Sequence, residues 1–140
     1  MKLIIVIEPF ALIMTACLFG GMIFYSIGFA PLIFHSLQKK EAGIIIRSAF
    51  PWYYLFIIIV SFITSIALFL LDSSSAFFVA GITTVGVYSR QVLMRKMNAS
   101  RDLGISCAKA HRRFDILHTV AITLNGVQIV AAGYILVQFL

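Results

Sequence analysis

Four apolar stretches, each about the length an α-helix needs to cross a hydrocarbon core roughly 30 Å thick, constrain this chain more than any other feature. They run from about Pro9 to Phe34, Phe50 to Leu71, Ala76 to Met94 and Phe114 to Leu140. Barrel strands would be shorter and would alternate polar with apolar residues, and these stretches do not alternate. In hydrocarbon every backbone group has to be bonded internally, which a helix achieves alone. Composition points the same way: the chain is 61% hydrophobic and 11% charged, whereas a soluble domain carries about a quarter charged residues. The expected fold is an all-α membrane protein. It is a single domain over residues 1–140, a four-transmembrane-helix bundle in the lipid bilayer.

Local signals predict where helices start and stop. Pro9 and Pro51 suit first helical turns, and Pro31 should kink or end the first helix. Asp72-Ser73-Ser74-Ser75 is a turn rich in N-cap residues ahead of the third. Ser106 is a candidate N-cap for a fourth helix that begins before the membrane does, and residues 34–47 are expected to form a short interfacial helix. The segment Lys2 to Ile7 opens like a removable signal, but Glu8-Pro9 interrupts it, so it is read as a retained helix. Trp52-Tyr53-Tyr54 falls where an interfacial aromatic belt would anchor the second helix.

The net charge of +6 is unevenly placed. Lys39, Lys40 and Arg47 lie in the first connection. Arg90, Arg95, Lys96, Arg101, Lys109, Arg112 and Arg113 lie at the end of the third span or in the connection after it. Lys2 alone of the 11 basic residues is on the opposite side. The positive-inside rule then predicts cytoplasmic connections and both termini outside, in a cell (inner) membrane. The basic excess needs no nucleic-acid partner. Cys17 and Cys107 fall in different segments and make no disulfide framework.

Polar and small residues in membrane helices mark the faces that avoid lipid. His118, Ala121, Asn125, Gln128 and Ala132 recur at steps of three and four, so they share a stripe on the fourth helix. Asn125 is roughly 16 Å along the axis from Phe114, near mid-membrane. Gly21, Ser61 and Thr84 lie at matching depth on the other helices. A central polar layer of Gly21, Ser61, Thr84, Asn125 and Gln128 is therefore expected. On the third helix Gly81, Thr84, Tyr88 and Gln91 share a stripe, and Cys17, Gly21 and Gly28 give the first a small-residue face. Such a layer either sets register, through bonds of about 1 kcal/mol each, or lines a path or a ligand site.

The basic end is chemically richer. Asn98, Arg101, Asp102, Asp115 and His118 form a candidate polar cluster there, and Arg112, Asp115 and His118 are spaced to meet on one helical face. His35, His111 and His118 are weak candidates for a metal, with Cys107 four residues before His111. Soft and imidazole ligands would suit copper, zinc or haem iron. No paired CxxC-type signature accompanies them, so haem or copper is the lesser reading and no cofactor the first. There is no Gly-rich phosphate loop, GxSxG or HExxH, which leaves a hydrolase or a nucleotide-driven pump without support.

Several patches carry a family likeness. Phe19-Gly20-Gly21 with Phe24, Ala30-Pro31-Leu32-Ile33-Phe34, Ala42-Gly43 and Phe50-Pro51-Trp52-Tyr53 are four of them. Asn98 with Arg101-Asp102, and Phe114 with Leu117-His118 and Asn125, continue it. Together they resemble the small four-helix membrane proteins related to transmembrane protein 205, a family of unknown function. The resemblance implies a four-helix architecture and polar positions at Asn98, Arg101, Asp102, His118 and Asn125, and it supplies no reaction. A more distant likeness is to membrane protoporphyrinogen oxidases and copper-resistance membrane domains, but the early first-helix histidine expected of them is missing. Three functions follow as expectations. The first is an oligomeric, non-enzymatic protein that binds or transports a small solute or ion. The second is a haem- or metal-binding redox protein using His118 with His111 or His35. The third is an accessory subunit of a larger membrane complex.

Overall fold

The computed structural model describes residues 2–103 and 108–140, and its described residues contain helices and no strands. The first rod, α1 (2–36), is α-helical over Lys2–Ile23, π-helical over Phe24–Phe29 and α-helical again over Ala30–Ser36. After it come α2 (Lys39–Leu70), α3 (Ser75–Leu103) and α4 (Ala108–Val137). A second π-helical segment, Ser89–Leu93, interrupts α3. All four rods are long and apolar enough to cross a bilayer, and the protein is a multi-pass integral membrane protein built as a four-helix bundle.

Each rod extends past its apolar stretch on at least one side. Residues 39–47 are the first turns of α2 rather than a separate interfacial helix. The chain breaks instead at Leu37 and Gln38, both extended, and the Gln38 carbonyl accepts from the Ala42 N–H. Pro9 and Pro51 therefore lie inside helices, not at their starts. A proline without an N–H leaves the carbonyl four residues earlier without its usual donor, here those of Ile5 and Arg47. Pro31 neither kinks the chain out of the helix nor ends it. The hydrogen-bond ladder shifts just before it, and the Ala30 N–H bonds the Tyr25 carbonyl five residues back. A π segment is a common way to absorb such a break. The expected N-cap at Ser106 lies outside the described residues.

The helices form an antiparallel ring. α2 packs between α1 and α3, and α4 closes the ring against α3 and the upper part of α1. Toward the termini the packing is tight. Leu18, Met22, Ile57, Val79 and Ile135 are fully buried. A Cβ added at Gly21 would sit 2.5 Å from the Phe56 ring, and one at Gly133 would be 2.9 Å from Phe19. Small residues at helix interfaces permit that approach. Outward, Phe24, Ile27, Phe69, Phe77 and Val130 are exposed as lipid-facing residues are. The aromatic triplet splits: Trp52 is 73% exposed, but Tyr53 and Tyr54 are buried at 7% and 4%. Only Trp52 is placed for a belt, because one turn of helix points consecutive residues to different sides.

Candidate functional site

The tyrosines that turn inward organise the polar interior. The Tyr53 hydroxyl donates to Asn125 Oδ1 at 2.5 Å, and Asn125 Nδ2 donates to Ser26 Oγ at 2.8 Å. That chain of bonds joins α2, α4 and α1. Ser26 sits in the π segment of α1, whose extra residue per turn alters which side chains face inward. The other π segment places buried Ser89 beside the Tyr54 hydroxyl. Tyr25 stacks on Tyr53 with centroids 3.9 Å apart, and Phe50 stacks on Tyr54 at 6.0 Å.

The expected central layer resolves into separate ties rather than one ring. Ser61 shares a bond of 2.7 Å with Thr83, joining α2 to α3. Gln128 Nε2 donates to the Ile82 carbonyl at 3.0 Å, joining α4 to α3. Gly21 meets Phe56. Asn125 belongs to the tyrosine network. Thr84 stands apart: it is exposed and donates back to the Ala80 carbonyl at 2.9 Å. Its neighbour Thr83 points inward in its place. Gly81, Tyr88 and Gln91, which share its stripe, are exposed too.

At the basic end the charged residues sort by helix. Arg47 and Asp102 form a two-pronged ion pair across α2 and α3, at 2.8 and 3.0 Å. Both lie beyond the apolar stretches. The bonds from Arg47 hold the Asp102 carboxyl below the usual carboxylate range, and the same bonds raise the guanidinium's pKa. Arg101 Nη1 donates to the Gly43 carbonyl at 3.3 Å, and a Cβ at position 43 would overlap Arg101 Nη2. Glycine at 43 is what lets the guanidinium lie against the α2 backbone. Asp115 does not meet His118. It pairs one turn away with His111 at 3.7 Å, both well exposed, while His118 stacks on Phe114 at 5.8 Å.

Two adjoining cavities occupy this half of the bundle. The outer one, of about 270 Å³, is lined by Lys39, Gly43, Arg47, Asn98, Arg101 and His118 together with apolar residues of α2, α3 and α4. The inner one, of about 340 Å³, runs along Tyr25, Ser26, Pro31, Tyr53, Ile122 and Asn125. Phe34, Ile46, Phe50, Tyr54, His118 and Ala121 line both. Of the expected cluster, Asn98, Arg101 and His118 thus line one space, Asp102 acts on it through Arg47, and Asp115 lies outside. Ser26, Tyr53 and Tyr54 carry no polar spacing signal in the sequence.

Among the described residues, no group of three or more His, Cys, Asp or Glu side chains is gathered where a metal could be held. His35 is exposed near the end of α1, and His111 is engaged by Asp115. Cys107 lies outside the described residues, and Cys17 is a free, exposed thiol.

No curated protein and no solved structure matches the chain. A family profile does, described as Domain of unknown function (DUF4149), over residues 13–106. That match takes in α1 from Ile13, all of α2 and α3, and the Tyr53, Tyr54, Asn98 and Arg101 side of the cavities. It spans more than half of the chain, and the protein belongs to the DUF4149 family.

Proposed function

We propose that this protein binds a small molecule in the paired cavities at its basic end and is not itself an enzyme. The observation that carries the reading is the shared wall of Phe34, Ile46, Phe50, Tyr54, His118 and Ala121, which makes the two cavities neighbours. Polar groups convergent on an apolar cavity are the usual form of a ligand site. The likeness to the proteins related to transmembrane protein 205 is a narrower placement in keeping with this reading. Native mass spectrometry of the chain extracted from lipid tests it. The expected result is a retained adduct, lost when Ala121→Phe fills the wall shared by both cavities. A chain that flies bare from every lipid and takes up no added amphiphile would overturn the reading.

Orientation and assembly belong to the same proposal. Ten basic residues share one end, which supports cytoplasmic connections and outer termini in a cell membrane. A reporter fused after Leu140 that is active in the cytoplasm would reverse that orientation. A homo-oligomer is supported by the outward stripe of Gly81, Thr84, Tyr88 and Gln91, since small and polar residues on a lipid-facing surface serve helix–helix contact. Light scattering on the detergent-solubilised protein should then give more than one chain per particle, and a monomer would remove this part.

A further inference from the structure

The two cavities differ in chemistry, and the difference defines a class of ligand. Lys39, Arg47 and Arg101 line the outer cavity, and among the described residues no acidic side chain does. Arg47 is neutralised by both oxygens of Asp102. Arg101 forms no such two-pronged pair: its charge also acts on the neighbouring Asp102, but Asp102's bonds go to Arg47, and Arg101 bonds a carbonyl oxygen. A guanidinium has five N–H donors in a planar fork, so most of the Arg101 fork remains for another acceptor. The Asn98 amide lines the same space. Donors and positive charge without a carboxylate favour an anion.

Among the described residues, no lysine, arginine, aspartate or glutamate lines the inner cavity. Tyr25, Phe34, Phe50, Tyr53 and Tyr54 give it aromatic walls, and its Ser26, Asn125 and Tyr53 groups bond one another. The Tyr25 hydroxyl is buried there without a partner among the described residues. Below Ser26, α1 packs on α2 rather than on α4. The inner cavity lies in that gap, edged by exposed Pro31 and Ile122. Its mouth therefore faces lipid.

We propose, resting on the binding reading above, that the paired cavities hold an anionic amphiphile. Its phosphate or carboxylate head meets Arg101, Asn98 and Lys39, and its apolar tail lies along Tyr25, Phe50 and Tyr54. The ligand arrives sideways from the bilayer between α1 and α4. The head then sits at the membrane edge, where ionised groups are far cheaper than at its centre. The same chemistry is offered by a bilayer lipid such as phosphatidic acid and by a free single-chain amphiphile.

The test uses the full chain in non-ionic detergent with three probes: dodecyl phosphate, inorganic phosphate and dodecyltrimethylammonium. Dodecyl phosphate should bind saturably, inorganic phosphate far more weakly and the cationic amphiphile not at all. Arg101→Gln should weaken dodecyl phosphate about tenfold, the scale of one charge-assisted hydrogen bond, and Arg101→Lys should lie between it and the wild type. Equal binding of inorganic and dodecyl phosphate would overturn the tail, and equal binding of the cationic probe would overturn the head. Vesicles of phosphatidylcholine with and without phosphatidic acid identify the source. A phosphatidic acid adduct in native mass spectra names the bilayer lipid, and binding of dodecyl phosphate with no such adduct names the single-chain form. An adduct lost in Ala121→Phe but kept in Arg101→Gln and Arg101→Lys leaves the binding reading standing and overturns the anionic head. No adduct and no probe binding at all would overturn both.

Discussion

The half of the bundle that carries the termini and the half that carries the basic residues use the same four helices and pack them differently. Toward the termini, small residues let backbones approach: Gly21 lies under Phe56, Gly133 under Phe19, and Ala11, Ala67 and Ala132 are buried. Thr15 and Thr64 there bond their own helix, at the Ala11 carbonyl (2.8 Å) and the Val60 carbonyl (2.7 Å), while Ser61 and Ser65 reach across to α3 over the short distance that close approach leaves. Toward the basic end, large aromatic rings and two π segments hold the helices apart, and the Tyr53–Asn125–Ser26 bonds span the gap between three of them. Close approach makes a dry core around Gly21 and Gly133, with a polar cleft by Glu8 and Gln138 only at its outer edge. Bulky spacers with bonds across the gap make a cavity.

That contrast predicts unequal costs for similar changes, measurable by unfolding the reconstituted protein in a detergent titration. The largest effect is expected at Leu18, fully buried in the tight half. Leu18→Ala should cost about 2 kcal/mol, the low end of such truncations because lipid removes the water-transfer part. Phe34→Ala, at an exposed cavity wall, should cost far less although it removes more atoms. Equal losses at the two sites would break the comparison.

Next in size is Gly21→Val, which drives a side chain into the far edge of the Phe56 ring and should cost about 1–2 kcal/mol, the low end of overpacking. Gly43→Ala makes the matching test in the open half. There only the end of the flexible Arg101 side chain has to move, so stability should hold while dodecyl phosphate binding falls. Tyr53→Phe removes the donor to Asn125 Oδ1 and should cost about 1 kcal/mol, with Asn125 still bonded to Ser26. No change on Tyr53→Phe would say that this network does not tie the helices.

The smallest effect belongs to the exposed Arg47–Asp102 pair. The Asp102 carboxyl is held below its ordinary range, so whatever the pair contributes is present above that range and is lost as pH falls through the lowered value. Asp102→Asn should abolish that acid-side dependence and change neutral-pH stability barely. A slope that survives the substitution would assign it to another group.

Much of this was legible in residue order alone. Four spans, helices rather than strands and a single basic end all follow from apolar length and the placement of lysines and arginines, because lipid solvates side chains one residue at a time. The stripe of His118, Ala121, Asn125, Gln128 and Ala132 follows from helical periodicity; the last four turn toward the interior, and His118, at its membrane-edge end, is exposed. Asn98, Arg101 and His118 were legible as polar residues near one end. What the tertiary structure decided is which of them meet. Two π segments shift the register of α1 and α3, turning Ser26 inward and setting Ser89 beside Tyr54, and no local sequence period reports such a shift. Thr83 rather than Thr84 faces α2 because helix rotation in the ring, not depth in the membrane, chooses the inward side. Asp102 takes Arg47, 55 residues away, and Asp115 takes His111 instead of His118. Spacing along a helix states who can be neighbours. Only packing between helices settles whose charge is matched and whose, like that of Arg101, is left facing a cavity.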